Sequence, residues 1–438
     1  MMYNDIRVQT KGDFTVSDKQ IFATVEVADH EVRLIVGEFF HTRFNIIKVE
    51  RVPCFGISYN EVTNPEEVTK ALKTAAENIR KLIGADIKKV ILAMPSYKFR
   101  KFTVKSTVNI QGIDQTVTIQ DVREAVKKAE NVELNKAYAL IQALCVRYTV
   151  NGVSSRKIPI GERCSQMSVD IDLLCAERKM SFDLVTCVEN SGMSVMDIFP
   201  DVYAVAKEAA LMEQGNNRQV IILKVEREVT TLGLVANGRF VTATTLPAGL
   251  GGIASSLCEQ YQLKTDVAVE LMKYSARLDY ETCSSNPVHI WSDGKETHTL
   301  SEQQLVDCLR PNIEIWLDAV EKTCQPILQA APTTVMITGE GGETEGLSNL
   351  VQKRLGVETR CYIPDTLGGR NAGLSACLGL FYAYRDKLPI TGYIEDSLDM
   401  DAFVKAVSYR EKVAKKQENN KEDTLTNKLK GLFLEGKK

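Results

Sequence analysis

The sequence has few of the features that define metal-binding, disulfide-rich or membrane-spanning proteins. Among its 438 residues are four histidines and 11 cysteines, and no two cysteines form a CxxC pair. The spacing of a zinc site or a disulfide framework is missing, so we expect free thiols and no metal site. The aliphatic runs, such as 220–223, have only the length of a strand. They are far shorter than the roughly 18 apolar residues that a membrane-spanning helix needs.

An excess of one charge is also missing. The chain carries 54 Lys and Arg against 57 Asp and Glu, a net charge of −3, which argues against a nucleic-acid partner. Residues 401–438 carry ten basic and six acidic side chains, a local charge of +4, so the body carries −7. Residues 1–14 lack the apolar segment of a secretory signal, and we expect the body to lie in the cytoplasm.

A repeated order of elements predicts a duplicated α/β fold. Three β-rich runs open the first half, followed by a helix that begins after Asn64 and ends at Gly84, and by a buried strand, Lys89–Met94. The second half repeats this order, with Asn237-Gly238 as a hairpin turn. Such a duplication places a ligand cleft between its halves. The predicted β-runs are 21–27, 32–39, 44–52, 219–225, 229–235 and 240–244.

Several segments resemble, in chain order, the bacterial cell-division actin homologue FtsA. Residues 337–342 (ITGEGG) are similar to that family's adenosine motif, and 371–379 (NAGLSACLG) to its last actin-fold helix. The other segments are 148–152 (YTVNG), 158–161 (IPIG), 187–195 (CVENSGMSV), 246–249 (LPAG) and 270–273 (ELMK). The resemblance implies an α/β, duplicated actin-like (ribonuclease H-like) fold. It also implies an inserted 1C (SHS2-type) subdomain and a C-terminal amphipathic helix.

The resemblance also implies a division of the chain into subdomains, a flexible linker and a membrane-targeting helix. The expected bounds are 1–96 and 193–217 for subdomain 1A (with part of 386–410), 97–192 for 1C, 218–257 and 325–385 for 2A, 258–324 for 2B, 411–423 for the linker and 424–438 for the helix. The linker is almost wholly polar and, as a coil, spans roughly 20 Å.

The C-terminal segment has the pattern of a helix that lies on a membrane surface. At 100° per residue its large apolar side chains share about 100° of one face, and two lysines flank that stripe. These membrane-binding candidates are Leu425, Lys428, Leu429, Lys430, Leu432 and Phe433. Burying the four apolar groups supplies about 6–12 kcal/mol, most of which the cost of ordering the segment removes. The alternative is a helix docked on its own core or in a partner's groove.

The phosphate loops of the family are degenerate in this chain. Where relatives have Asp-x-Gly followed by Thr or Ser, residues 26–30 read EVADH, so that Glu26 replaces the aspartate. Where relatives have a glycine-rich second loop, residues 225–231 read VEREVTT. Glycine allows the close backbone approach that a phosphate needs, and the extra carboxylates repel it. We therefore expect weak or lost ATP and Mg²⁺ binding, no hydrolysis, and no enzyme activity.

The expected adenosine side of the cleft keeps more of the family pattern. Glu270 and Lys273 are the candidates for ribose and base contacts, and Gly339, Gly341 and Gly342 form the glycine-rich turn. The alternative is that these glycines serve a tight strand-to-helix turn that needs no ligand.

The resemblance implies a cell-division protein that forms filaments on the inner face of the cytoplasmic membrane. Its implied partners are the C-terminal tail of FtsZ, anionic lipids, further copies of itself, and later division proteins that bind subdomain 1C. Arg310 is the candidate for contact with FtsZ, with a solvated surface arginine as the alternative. Two other functions stay open: a PilM-like scaffold of a pilus or secretion machine, and a kinase of the same superfamily.

Overall fold

The computed structural model describes residues 19–111, 114–213, 218–278, 283–292, 294, 296–392 and 395–407. The strands are β1 (Lys19–Val27), β2 (Glu31–Phe40), β3 (Arg43–Pro53), β4 (Ile57–Ser58), β5 (Glu61–Val62), β6 (Lys89–Met94), β7 (Arg100–Asn109), β8 (Tyr138–Val150), β9 (Val153–Ser155), β10 (Gln166–Glu177), β11 (Ser194–Pro200), β12 (Gln219–Val225), β13 (Thr230–Ala236), β14 (Arg239–Leu246), β15 (Pro287–Ser292), β16 (Thr297–Ser301), β17 (Thr333–Thr338) and β18 (Thr359–Cys361). The helices are α1 (Pro65–Ile83), α2 (Ile119–Glu130), α3 (Arg178–Asn190), α4 (Asp201–Glu208), α5 (Leu250–Tyr261), α6 (Thr265–Ser275), α7 (Glu302–Ala330), α8 (Leu347–Leu355) and α9 (Ser375–Thr391).

Two five-stranded sheets with the same topology form the two halves. Their strand orders are β11-β6-β1-β2-β3 and β18-β17-β12-β13-β14. In each sheet the first three strands form an antiparallel meander, and the later two run parallel to the first. The repeated order predicted from the sequence is therefore confirmed strand by strand.

Local sequence signals position the first helix and the second hairpin as predicted. The Asn64 side chain accepts a hydrogen bond from the Glu67 N–H at the start of α1, and Gly84, at φ 83°, ends that helix. Asn237 and Gly238 both have positive φ in the turn between β13 and β14. This backbone conformation matches the right-handed twist of the flanking strands.

A shared core holds the two halves together. Helices α4 and α9 pack between the sheets, in a cluster that joins Phe22 and Phe39 of the first sheet to Ile222 and Met336 of the second. The helices approach closely at Gly379, where an added Cβ would lie 1.8 Å from the Ala204 carbonyl oxygen. The cleft between the halves is therefore bounded on one side by a continuous apolar core.

The insertion in the first half forms its own layer. Strands β7, β10, β8 and β9 make a four-stranded sheet with α2 packed on it, around a separate small core. Helix α3 follows this sheet in the chain, and its residues Met180 and Leu184 pack into the core of the first half. All 11 cysteines are free thiols.

Candidate functional site

Two turns face each other across the cleft between the sheets. The first, residues 28–30, joins β1 to β2, and the second, residues 226–229, joins β12 to β13. Because the two sheets share one strand order, the turns lie at equivalent positions. These are the segments in which the sequence predicted two degenerate phosphate loops.

Arg33 is fully buried between the two turns and pairs with several carboxylates. Its Nη1 and Nη2 donate to the two carboxylate oxygens of Glu226 at 3.1 and 2.8 Å, a bidentate pair. The same guanidinium contacts Glu26 at 3.2 Å and Glu31 at 2.6 Å, and donates to the Gly373 carbonyl at 2.8 Å. Arg33 thus joins an acid of the first half to an acid of the second.

Lys224 makes the reciprocal connection from the second half. Its Nζ lies 2.5 Å from Glu26 Oε1 and 2.8 Å from Asp201 Oδ2, and it is buried. Asp201 is itself held by the N–H and the hydroxyl of Ser96. Glu26, the candidate Mg²⁺ or nucleotide ligand, therefore lies between two cations of the protein.

Asp29 and Glu228 close the outer edge of the cleft. The Glu228 N–H donates to Asp29 Oδ2 at 2.5 Å, and the Glu228 carboxylate accepts from the Tyr59 N–H at 2.7 Å. We call Glu26, Asp29, Arg33, Asp201, Lys224, Glu226 and Glu228 the cleft network.

Neighbouring charges keep Glu226, Glu31 and Lys224 in their ionised forms. Burial alone raises the pKa of Glu226, but Arg33 and Lys224 outweigh it and lower that pKa to about 2. Glu31 responds in the same way, because Arg33 and Arg51 outweigh its burial and lower its pKa to about 2. Burial lowers the pKa of Lys224, but the carboxylates of Asp201 and Glu26 raise it above its ordinary value. These groups are therefore charged at neutral pH.

The residues between the turns do not fit a nucleoside triphosphate with bound Mg²⁺. The cavity that remains has a volume of about 10 Å³, and its lining carries the single base Lys224 against four carboxylates. Ligand pockets usually measure about 300–1,000 Å³. A phosphate cradle also needs free backbone N–H groups. Here the N–H groups of Ala28 and Glu226 donate within their own turns, to Glu31 and Val229 carbonyls at 2.9 Å.

A set of possible metal ligands also occurs in the cleft. Asp29, His30 and Glu226 have ligand atoms within 4.8 Å of one another. Both oxygens of Glu226 accept from Arg33, and Asp29 accepts from the Glu228 N–H and lies 2.9 Å from His30 Nδ1. A cation at this place would therefore have to compete with Arg33 for Glu226 and with the Glu228 N–H for Asp29.

The expected adenosine side forms a turn packed against β12. An added Cβ at Gly339 would lie 2.8 Å from the Val225 carbonyl oxygen, and one at Gly341 would lie 2.7 Å from the Val225 Cβ. One at Gly342 would lie 2.8 Å from the Ala372 Cβ. Close packing thus accounts for all three glycines, in agreement with the alternative that this turn needs no ligand.

Glu270 and Lys273, the two polar candidates on that side, do not face a common site. Lys273 is buried, with its Nζ 3.5 Å from Glu340 Oε1 and 3.9 Å from Glu343 Oε2. Glu340 also pairs with Arg227 at 3.1 Å. Glu270 is exposed on α6. A ribose or base contact by Lys273 would therefore have to replace an existing ion pair.

The remaining candidates lie away from the cleft. Arg310 is exposed on α7, with its Nη2 3.7 Å from Asp307 Oδ1 one helical turn away. The neighbouring Asn312 donates to the Gly252 and Ile253 carbonyls and so fixes α7 against α5. The linker 411–423 and the membrane-binding candidates Leu425, Lys428, Leu429, Lys430, Leu432 and Phe433 lie outside the described residues.

Sequence reasoning missed Arg33, Lys224 and Asp201. A signal was present for the first two, because each is the lone charge in a strand segment that is otherwise apolar, 32–36 and 220–225. Lys and Arg are almost never fully buried unless they are paired, so each position required a nearby carboxylate. The identity of those carboxylates depended on how the two halves meet.

Comparisons with known proteins place the chain near one group. Residues 98–175 match the family model described as the SHS2 domain inserted in FtsA. The chain is 20% identical over 373 residues to the cell division protein FtsA of Bacillus subtilis (strain 168), covering 83% of each protein. It is 19% identical over 366 residues to the cell division protein FtsA of Escherichia coli (strain K12), covering 81% of this chain and 86% of that protein.

A solved structure supports the fold. A chain of the PilM-PilN type IV pilus biogenesis complex superposes with a TM-score of 0.56 at 13% identity, covering 83% of this chain and 98% of that one. Together with the matched insert and the two equivalent sheets, this confirms the predicted duplicated actin-like fold with an SHS2-type insertion.

Proposed function

We propose that the chain is a divergent member of the FtsA family, a cell-division protein that forms filaments on the inner face of the cytoplasmic membrane and tethers the FtsZ ring there. The matched insert and the similarity to FtsA proteins over most of the chain support this proposal. The surface of the protein would then recruit later division proteins through the inserted sheet. We propose that it does so as a scaffold, with no ATP hydrolysis. The cleft chemistry supports this part, because the N–H groups of Ala28 and Glu226 donate within their own turns and the remaining cavity measures only about 10 Å³.

The C-terminal segment is the observation that carries the tethering role. None of the helices in the described ranges is long and apolar enough to cross a bilayer. We assign the contact with lipid to the amphipathic stripe of 424–438, on the pattern of its sequence. Residues 400–407 are helical, and Ala406 lies beside Gly84 at the end of α1.

Self-association would compensate for the weak membrane binding of a single C-terminal segment. One tail binds marginally once its ordering cost is counted, but neighbouring copies in a filament raise the effective concentration of the others. Anionic lipids add about 1 kcal/mol for each lysine near the surface. We therefore expect membrane binding to rise steeply with the degree of assembly.

The exposed face of α7 is the proposed docking surface for the FtsZ tail. Arg310 is exposed there and offers a cationic group to a short acidic peptide. The inserted sheet and the lipid-binding segment remain separate from this surface in the chain.

A PilM-like scaffold remains the second candidate, because its fold covers most of the chain. The FtsA-type insert and the amphipathic segment favour the division role. The kinase function has no such support, since a kinase needs a phosphate site that the cleft network replaces.

Vesicle co-sedimentation tests the tethering role. We expect the full chain to sediment with vesicles that contain phosphatidylglycerol, and to carry FtsZ polymers down with it. Deletion of 424–438, or the change Phe433→Asp, should abolish both effects, because each removes apolar contact with the bilayer. Leu434→Asp is the matched control, since Leu434 points away from the stripe, and it should retain binding.

The outcomes of this experiment separate the candidates. Unchanged lipid binding after the deletion would refute the tether. Lipid binding without FtsZ recruitment would leave the division role unsupported and favour the pilus-type scaffold. Arg310→Ala should weaken FtsZ recruitment and leave lipid binding unchanged; equal recruitment by this variant would remove Arg310 from the docking surface.

A further inference from the structure

We propose that the two halves of this protein are held closed across the cleft by the cleft network, so that closure requires no nucleotide. This inference concerns the state of the cleft and does not rest on the tethering role. In the proposed closed state, side chains of the protein take the place of an exchangeable nucleotide.

The ion pairs of the network cross the cleft in both directions. Arg33 belongs to the first half and binds Glu226 of the second, whereas Lys224 belongs to the second half and binds Glu26 and Asp201 of the first. Opening the cleft would separate each cation from an acid on the other side. A buried charge that loses its partner is strongly unfavourable, so the arrangement favours the closed state.

The turns themselves are also joined. The Glu228 N–H donates to Asp29, and the Glu228 carboxylate accepts from the Tyr59 N–H. In a nucleotide-binding cleft, backbone N–H groups of such turns point at a phosphate. In this chain the carboxylate of Asp29, in the first half, takes the place of that anion by accepting from the Glu228 N–H of the second turn. The anion that bridges the halves is thus part of the protein.

A nucleotide could not add to this closure. The cavity between the turns is lined by four carboxylates and one lysine, so a polyphosphate would meet repulsion as well as a lack of space. Glu226 also keeps its charge around neutral pH, because Arg33 and Lys224 hold its pKa near 2. We therefore expect the cleft to stay closed over the whole physiological range of nucleotide concentration.

Hydrogen–deuterium exchange of the purified full chain tests the proposal without lipid or FtsZ. We expect peptides covering 226–231 and 57–60 to be protected in the absence of nucleotide, and MgATP to leave their exchange unchanged. Asp29→Ala removes the acceptor of the Glu228 N–H and should speed exchange in the 226–231 peptide about tenfold or more. Lys179→Ala, which removes an exposed ion pair on α3, is the control and should change neither peptide.

A second variant covers the case in which Asp29→Ala does not fold. Glu228→Ala keeps the turn amide and removes only the contacts to Ser58 and Tyr59, so it should increase exchange mainly in the 57–60 peptide. The proposal is overturned if the wild-type turns exchange freely until MgATP is added. It is also overturned if a folded Asp29→Ala or Glu228→Ala variant exchanges like the wild type.

Discussion

Single charged residues define the cleft of this protein more than its glycines do. Arg33 and Lys224 each lie in a buried strand, and each is compensated by acids from both halves. Buried ion pairs of this kind contribute little net stability compared with apolar residues of the same volume. We infer that their effect is specificity, because they join the two halves across the cleft.

Glu208, at the end of α4, is a residue whose ionisation opposes folding. Burial raises its pKa from 4.5 to about 7, and Asp365 adds to the shift. Within the described part of the chain its Oε2 has no hydrogen-bond partner. Glu208 therefore contributes fully to stability at pH values below its pKa in the unfolded chain. That contribution is lost as pH rises through its folded-state pKa of about 7.

Glu208→Gln should therefore stabilise the protein at alkaline pH. We expect a gain of about 1–3 kcal/mol in the free energy of unfolding at pH 8, most of which disappears near pH 5. Denaturant unfolding at the two pH values measures the difference. Glu189→Gln, on the exposed end of α3, is the control and should have little effect at either pH. A gain that is the same at both pH values would show that ionisation of Glu208 is not the cause.

At the residue scale the sequence predicted some roles and not others. The loss of glycine at 26–30 and 225–231 was visible directly, and the degenerate cleft followed from it. The pairing of Glu26 with Lys224 was not visible, because these residues are 198 positions apart and meet only through the packing of the two sheets. The same holds for Asp29 and the Glu228 N–H.

At the scale of elements, the shared core depends on the close approach of α4 and α9. The Gly379 position leaves no room for a side chain, since a Cβ would overlap the Ala204 carbonyl oxygen at 1.8 Å. The Ala204 carbonyl is a backbone group and the added Cβ is bonded directly to the backbone of α9, so neither can rotate away. The spacing of these helices in turn sets the distance between the two sheets.

Gly379→Ala should consequently destabilise the protein by about 3 kcal/mol, as overpacking of a core does. Gly252→Ala is the matched control, because apart from the backbone of α5 itself no described atom lies within 4 Å of a Cβ there, and it should stabilise by about 0.5–1 kcal/mol. Thermal unfolding of the two variants compares them directly. Equal stability of the Gly379 variant and the wild type would mean that the helices can separate without cost.

The elements with clear local signals were predicted well. Helix α1 begins and ends at the predicted residues because Asn64 and Gly84 cap it. Helix α7 continues past Pro326, which lies inside it, and ends at Ala330. Proline removes one backbone hydrogen bond, and the packing of the buried face that includes Trp316 and Cys324 outweighs that loss.

At the scale of the whole molecule, the duplication was predictable and the closure was not. The order of strands and helices repeats in the sequence, and hydrophobic patterning alone shows it. The relation between the halves depends on α4, α9 and the cleft network, which are assembled from distant segments. The charge split between an acidic body and a basic end was visible from composition.

The central proposal is that this chain, which is similar to FtsA proteins and has an actin-like fold, closes its cleft with its own side chains. Thermal unfolding with and without millimolar MgATP tests it most directly, because a ligand at 100 times its dissociation constant adds about 2.7 kcal/mol of stability. We expect no change in the melting temperature at any MgATP concentration. A saturable rise at micromolar MgATP, lost when Mg²⁺ is removed, would contradict it.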